Sequence, residues 1–239
     1  MTKITTNKLS DINLTEIFST TTIRKVGKGR GHINLHDFMI NKKNLSDMER
    51  HFAGMYCEDG IVVASDTQLF VAIKASYDDK CEGKIVAKDG TIIPDCKFPH
   101  WKSIVPVQGE MIGNLEGLIA ATNEANATLK MYKSCNKPGG KSIEEFKDWG
   151  DWSAWGNCKC NKEKIYIKIT LHGVAHYFNL KQANAIINVA NYFNEPVVYY
   201  CRGELVIVDY GLIIMCIESY IYDESDYPIF YCPQTHSDY

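Results

Sequence analysis

Cysteine and histidine are the residues of this chain with the most distinctive chemistry, because they ligate metals and act as nucleophiles or bases. Cys135, Cys158 and Cys160 lie in one segment, and a single residue separates the last two. A structural zinc site usually takes four ligands from paired Cys-x-x-Cys knuckles, so this trio is a weak match. His172 and His176 stand four residues apart, but not in a predicted helix. We expect no metal and no cofactor.

Familiar catalytic patterns are missing as well. The sequence contains no Gly-x-Ser-x-Gly, no His-Glu-x-x-His and no convincing carboxylate pair. Glycines alternate with Lys28 and Arg30 over residues 27–31, but the Lys-Ser/Thr ending of a P-loop is missing. Backbone N–H groups there are able to hold a phosphate, although a flexible loop is the ordinary interpretation. We predict a protein that is not an enzyme; an α+β enzyme whose site forms only in space stays an alternative.

Composition limits the remaining classes. With 239 residues, 45% apolar and 23% charged, the chain is typical of one large or two small globular domains. The net charge of −3 means that any nucleic-acid function must rest on a local basic patch. We find no apolar run of membrane-spanning length and no signal peptide, and the nine cysteines are irregularly spaced. These features favour a cytoplasmic protein with reduced thiols.

Apolar patterning predicts the elements that must position any site. Residues 44–53 are typical of a short helix, and strands are predicted at 61–65 and 68–74. A hairpin is predicted around Lys88-Asp89-Gly90. Asn179–Phe193 is the clearest helix, and three short strands follow it, at 197–201, 204–208 and 212–217.

Residues 107–163 interrupt this pattern. Residues 111–121 are compatible with either helix or strand. Three tryptophans, Trp149, Trp152 and Trp155, superficially resemble a thrombospondin ladder, but a local aromatic cluster or interaction patch fits them better. The predicted organisation is an N-terminal half (1–106), an insertion or irregular linker (107–163) and a C-terminal half (164–239).

Two segments resemble a known family. The first, residues 52–71, contains Gly54-Met55 and an apolar strand ending at Ser65-Asp66. It is similar to the stretch of bacterial DNA polymerase sliding clamps in which Leu-x-Gly-Met-x-Phe-Glu leads to a strand ending Ala-Thr-Asp-Gly-His-Arg-Leu-Ala. The aspartate is kept, whereas Gly-His-Arg is replaced by Thr67, Gln68 and Leu69.

The second segment, residues 97–106, is the more specific match. It resembles the Phe-Pro-Asp-Tyr-Arg-x-Val-x-Pro linker of the same clamps, with matching residues at Phe98, Pro99, Trp101, Lys102 and Pro106. The helix and strands of 178–217 are compatible with half of a clamp domain. A chain of 239 residues is too short for three clamp domains, so a ring would require a homo-oligomer.

The resemblance implies a sliding-clamp-like α+β fold with helices packed on antiparallel sheets in two pseudo-symmetric halves. It also implies a processivity factor, in a phage or mobile-element version, that encircles double-stranded DNA without reading its sequence. The cations that would contact phosphates are Arg24, Lys25, Lys28, Arg30, Lys42, Lys43 and Arg50. A solvated basic loop explains the same residues, and the predicted long helix offers a single cation, Lys181, on its polar side.

Clamps also bind peptides of DNA polymerase or other replication proteins in an apolar groove. By motif, the lining residues here would be Ser65, Thr67, Gln68, Leu69, Phe70, Pro99, Ser103 and Ile104. Leu69, Phe70 and Ile104 are equally compatible with simple core positions. The second functional hypothesis is therefore a clamp-fold interaction or scaffold module that does not encircle DNA.

Overall fold

The structure is a computed structural model that describes residues 10–27, 32–41, 44–135, 162–224 and 227–232. Its helices are α1 (Leu14–Ser19), α2 (Asp47–Arg50), α3 (Glu116–Cys135) and α4 (Leu180–Ala190). Its strands are β1 (Ser10–Asp11), β2 (Gly54–Glu58), β3 (Ile61–Ser65), β4 (Leu69–Lys74), β5 (Lys84–Ala87), β6 (Ile92–Ile93), β7 (Gln108–Gly113), β8 (Tyr166–Leu171), β9 (Val174–Asn179), β10 (Val197–Cys201), β11 (Glu204–Asp209), β12 (Leu212–Ile217) and β13 (Ile229–Tyr231). None of the helices in these ranges is both long and apolar enough to cross a bilayer.

One large sheet contains ten of these strands, in the order β1-β7-β10-β11-β12-β4-β3-β2-β5-β6. Neighbouring strands in it are antiparallel. A second sheet has the order β13-β8-β9, and β13 runs parallel to β8. The α+β class is therefore confirmed for the described residues, with a large sheet that is antiparallel throughout.

The chain divides into two compact units, and neither follows the predicted boundaries at 106 and 164. The first unit is Met1–Asn114 with Asn188–Ile217, and the second is Leu115–Ile187 with Glu218–Tyr239. Strand β12 pairs with β4, from Leu212↔Ile73 to Cys216↔Leu69, which brings three late strands into the early sheet. Local sequence patterns carry no information about such distant pairing.

Residues 107–163 are more regular than predicted where the structure describes them. Residues 111–121, which the sequence left as either helix or strand, form a strand up to Gly113 and a helix from Glu116. The tryptophans and the Cys158–Cys160 pair lie outside the described residues. Strand β7, within this range, pairs with β10 inside the large sheet.

The central strands of the first unit are buried on both faces. All residues of β3 are buried, as are the first five of β4 and of β12. Strands covered on both sides require continuous apolar runs, and these strands read IVVAS, LFVAI and LIIMC. The core on one face includes Ile12, Ile17, Phe70, Trp101 and Val105.

The clearest predicted helix is confirmed with slightly narrower limits. Helix α4 begins after Asn179, whose side-chain oxygen accepts a hydrogen bond from the backbone N–H of Gln182 at 2.9 Å. The Asn179 backbone N–H in turn donates a hydrogen bond to Gln182 Oε1 at 2.8 Å. This reciprocal cap satisfies two backbone donors at the start of the helix.

In the second unit, polar contacts tie the C-terminal segment to the β8–β9 hairpin. Lys168 Nζ lies 2.8 Å from Glu224 Oε1, and the Tyr177 hydroxyl donates to the same carboxylate. His176 Nδ1 lies 2.7 Å from Glu218 Oε2. The Lys168 ammonium also lies over the rings of Tyr177 and Tyr231, at 5.8 and 5.4 Å from their centroids. These contacts hold β13 beside β8.

A buried ion pair joins the two chain segments of the first unit. Arg24 Nη2 donates to Asp209 Oδ2, and the two side chains are only 6% and 0% exposed. The Asp209 carboxylate also accepts hydrogen bonds from the backbone N–H groups of Asn194, at 3.0 Å, and Tyr210, at 2.8 Å. Removing one partner of such a pair leaves an uncompensated charge in the interior.

We predict that Arg24→Met destabilises the protein by about 3 kcal/mol, because the Asp209 charge is left buried without its cation. The double variant Arg24→Met/Asp209→Asn should recover part of this loss, since the amide keeps an acceptor without a charge. Urea unfolding followed by circular dichroism measures both. Lys25→Met, at the exposed neighbouring residue, is the control and should change the free energy of unfolding by less than about 0.5 kcal/mol. An equal loss in both single variants would contradict the prediction.

Candidate partner-binding surface

The turn between β3 and β4 is shaped by the Ser65-Asp66 pair of the first motif. Asp66 Oδ1 accepts hydrogen bonds from the backbone N–H groups of Gln68, at 3.0 Å, and Leu69, at 2.7 Å. Ser65 Oγ donates to the Leu69 carbonyl at 2.9 Å and accepts from the Thr67 N–H at 3.1 Å. Short polar side chains that bond to their own turn in this way fix its conformation. Ser65 and Asp66 therefore have a structural function here.

Thr67 occupies the left-handed region of backbone conformation, with φ of 78°. A β-branched residue is strained there, whereas glycine is not. The clamp pattern has glycine at this position. The turn thus keeps the conformation that glycine favours, although the chain carries threonine.

Gly54 of the same motif is required by a close backbone approach. It pairs with Ala87 across the β2–β5 ladder. A Cβ atom on Gly54 would lie 2.6 Å from the Val86 carbonyl oxygen and 2.7 Å from the Ile85 side chain. Any larger residue would push β5 away from β2.

Aromatic contacts attach the second motif to the large sheet. Phe98 stacks on Tyr56, with ring centroids 5.3 Å apart and planes 6° from parallel. Trp101 is 2% exposed and contacts the rings of Phe18 and Phe70 at centroid distances of 5.9 and 6.3 Å. Because Phe70 belongs to the first motif, the two matched segments are neighbours in the fold, as the resemblance implies.

Polar contacts fix the same segment from its outer side. The Trp101 indole N–H donates to Glu58 Oε2 at 2.9 Å. Lys102 Nζ lies 3.2 Å from that oxygen and 3.3 Å from Asp59 Oδ2. Partial burial lowers the pKa of Lys102, but the hydrogen bonds to Glu58 and Asp59 outweigh it, so the pKa lies above its usual value. Lys102 is therefore held by the protein's own carboxylates.

The predicted groove residues divide into buried and exposed ones. Ser65, Leu69 and Phe70 are buried, so their side chains lie in the interior. Leu69 faces the core, and Phe70 is covered by Trp101. The exposed members are Thr67, Gln68, Pro99, Ser103 and Ile104, and Ile104 is 47% exposed. We call these five the turn–linker surface.

The predicted phosphate contacts also divide. Arg24 is buried in its ion pair with Asp209, so its guanidinium lies in the interior. Lys25 and Arg50 are exposed. The other four, Lys28, Arg30, Lys42 and Lys43, lie outside the described residues.

Neither long helix presents a basic stripe among its described side chains. The charged exposed residues of α3 are Glu116, Glu124 and Lys130. On α4 the exposed side chains are Lys181 and Asn188, and Asn188 donates to Asp37 Oδ2 at 3.1 Å. A helix facing DNA phosphates should carry more cations than this.

A cavity of about 360 Å³ in the first unit was not predicted from the sequence. Its lining is formed by Asp11, Ile12, Asn13, Glu16, Ile17, Glu195, Val197, Tyr199, Val208, Asp209 and Tyr210. Burial, together with the nearby Cys201 and Glu16, raises the pKa of Tyr199 above its usual value. The lining comes from chain segments that only the β10–β11 pairing and the docking of α1 bring together, so no local pattern signals it.

The chain is similar to three solved structures at low sequence identity. No family model and no curated protein matches the chain. Among solved structures it is similar to the DNA polymerase III beta subunit of Thermotoga maritima, with 10% identity and a TM-score of 0.45 over 79% of this chain and 61% of that one. The C. crescentus beta sliding clamp gives 10% identity and a TM-score of 0.40, over 74% and 60% of the two chains.

A third similar structure is a putative DNA polymerase III beta subunit from Eubacterium rectale, at 9% identity and a TM-score of 0.35, over 80% and 62% of the two chains. The chain therefore spans about three fifths of the length of the solved structures it matches. At TM-scores below 0.5, these superpositions do not establish a shared fold.

We predict that Thr67→Gly stabilises the protein by about 1 kcal/mol, because glycine adopts the left-handed conformation without the steric cost that threonine has. The matched control is Gln68→Gly in the same turn. Gln68 is not among the residues with positive φ, so glycine there should destabilise by about 0.5–1 kcal/mol. The difference in urea midpoint between the two variants is the measurement. Destabilisation by Thr67→Gly would contradict a strained turn.

Proposed function

We propose that this chain is a sliding-clamp-like processivity factor that binds double-stranded DNA without sequence specificity and recruits DNA polymerase or other replication proteins. The observation that carries the proposal is the packing of residues 98–105 against the β3–β4 hairpin through Trp101 and Phe70. This is the adjacency that two separate matches to the clamp pattern require. The proposal includes a cytoplasmic, non-enzymatic homo-oligomer of phage or mobile-element type, whose halves are pseudo-symmetric.

DNA binding would rest on non-specific charge. Lys25 and Arg50 are the exposed members of the proposed set in the described residues, and Lys28, Arg30, Lys42 and Lys43 complete it. Lysine and arginine hold the phosphate backbone without reading bases, which permits sliding. Binding of this kind weakens steeply as salt concentration rises.

Partner recruitment would use the turn–linker surface. Ile104 is its large apolar side chain, and it follows directly after the segment that Trp101 anchors. An exposed aliphatic residue on a rigid support is suited to receive an aliphatic or aromatic anchor of a peptide. The hydrogen bonds within the β3–β4 turn fix the backbone of Thr67 and Gln68, which directly precede the buried Leu69.

We expect Ile104→Asp to weaken peptide binding about tenfold or more, because a charge would replace the large apolar side chain of the surface. Fluorescence anisotropy with a labelled peptide that carries leucine and phenylalanine anchors between polar residues measures this. The matched control is Met48→Asp, since Met48 is 80% exposed and lies outside the turn–linker surface. Equal affinity for the two variants would exclude the turn–linker surface as the peptide site.

We expect the protein to sediment as a closed multimer and to stay on nicked circular plasmid at a salt concentration that releases it from the same plasmid after linearisation. A ring holds circular DNA topologically, whereas an open surface holds both forms by charge alone. Lys25→Glu/Arg50→Glu should reduce retention, and Lys88→Glu, in the exposed β5–β6 turn, is the control for altered charge. A strict monomer, or equal release from both DNA forms, would exclude encirclement.

The second candidate is a clamp-fold interaction or scaffold module that does not encircle DNA. The observation that favours it is the lack of a basic stripe on the described faces of α3 and α4, in a chain of net charge −3. The two experiments separate the candidates. Peptide binding that depends on Ile104, without DNA retention, identifies the module.

A further inference from the structure

The cavity of the first unit combines an apolar floor with an acidic rim. Its floor is formed by Ile12, Ile17, Val197 and Val208, together with the ring of the half-buried Tyr199. Its volume of about 360 Å³ is within the range of small ligand sites and exceeds that of any single side chain. The cavity is therefore large enough to accept an inserted side chain with its neighbouring backbone.

The charged side chains of the described lining are all acidic. Asp11, Glu16 and Glu195 are exposed at the rim, and among the described residues no lysine, arginine or histidine belongs to the lining. Asp209 is different, because its carboxylate is already compensated by Arg24 and two backbone N–H groups. The three rim carboxylates thus give the opening a negative charge.

This cavity is separate from the turn–linker surface. Asp209 and Tyr210 lie at the turn between β11 and β12, where Leu212 pairs with Ile73 near the end of β4. The turn–linker surface includes Thr67 and Gln68, at the opposite end of that strand. The cavity and the turn–linker surface therefore lie near opposite ends of β4.

We propose that this cavity binds a basic segment of a partner protein. The alkyl stem of a lysine or arginine lies on the apolar floor, and its cationic head group meets Asp11, Glu16 and Glu195. Long basic side chains bury their stems and keep the charge near solvent, which matches a cavity with apolar side chains on its floor and exposed carboxylates at its opening. Charge complementarity selects a basic segment and excludes an acidic one.

The probe is a fluorescein-labelled peptide, Gly-Ser-Leu-Lys-Leu-Arg-Ser-Gly, measured by anisotropy against the full chain at low salt. Glu16→Gln/Glu195→Gln should weaken binding about tenfold, because two exposed ion pairs are lost without a change in fold. The matched control is Glu116→Gln/Glu124→Gln, which makes the same charge change on exposed positions of α3. A peptide with glutamine in place of lysine and arginine should bind at least about tenfold more weakly than the basic one.

Val197→Phe tests the cavity independently of its charge, because the larger side chain fills the space while the rim stays intact. Binding should be lost, with an unchanged near-ultraviolet circular dichroism spectrum as evidence of folding. If that variant does not fold, Tyr210→Ala replaces it, since the 60% exposed ring forms a wall and its removal should weaken binding about threefold.

Three results would overturn the proposal. An equal loss in the α3 control would show non-specific attraction to an acidic protein. Displacement of the peptide by 1,6-diaminohexane, at a concentration equal to the dissociation constant of the peptide, would identify a site for free amines. Self-association of the chain that disappears in Glu16→Gln/Glu195→Gln would identify a second copy as the occupant.

Discussion

The arrangement of the first unit depends on the packing of the buried Trp101 against Phe18 and Phe70. Strands β6 and β7 are consecutive in the chain, yet β10, β11, β12, β4, β3, β2 and β5 lie between them in the sheet. The connection must therefore cross the sheet face, and Trp101 holds it between Phe18 and Phe70. Loss of a tryptophan core contact typically costs about 3–5 kcal/mol, a large part of the stability of a domain.

The same crossing explains why both faces of the central strands are apolar. Trp101 and Val105 cover β3 and β4 on one side, together with Ile17 of α1. On the other side, the 3-10 turn Leu35–Phe38 contributes the buried side chains of Leu35 and Phe38. A strand enclosed in this way has no polar face, which is why its sequence reads as one apolar run.

Local signals in the sequence predicted the local structure well. The runs at 61–65 and 68–74 became β3 and β4, and Asn179 capped the predicted helix, because hydrophobic period and capping depend on neighbouring residues only. The limits of the units have no such local signal, since the pairing of Leu212 with Ile73 depends on residues far apart in sequence.

In the candidate surfaces, too, local motifs were visible in the sequence, whereas contacts between distant residues were not. Motif matching identified the Trp101 segment and its neighbour at Phe70, which the structure confirms as a contact. It also assigned Arg24 to the surface, because a lone arginine in a basic stretch gives no sign of the distant Asp209 that buries it. The acidic cavity had no signal at all, since Glu16 and Glu195 meet only after the sheet has formed.

The division of the first unit into two chain segments has a consequence for synthesis. Its sheet is completed by β10, β11 and β12, which leave the ribosome only after the whole of Leu115–Ile187. Until then β4 has an open edge of apolar residues, which is a template for pairing with other nascent chains. The edge of β4 is therefore exposed while Leu115–Ile187 is translated, and the length of that segment sets the duration of the exposure.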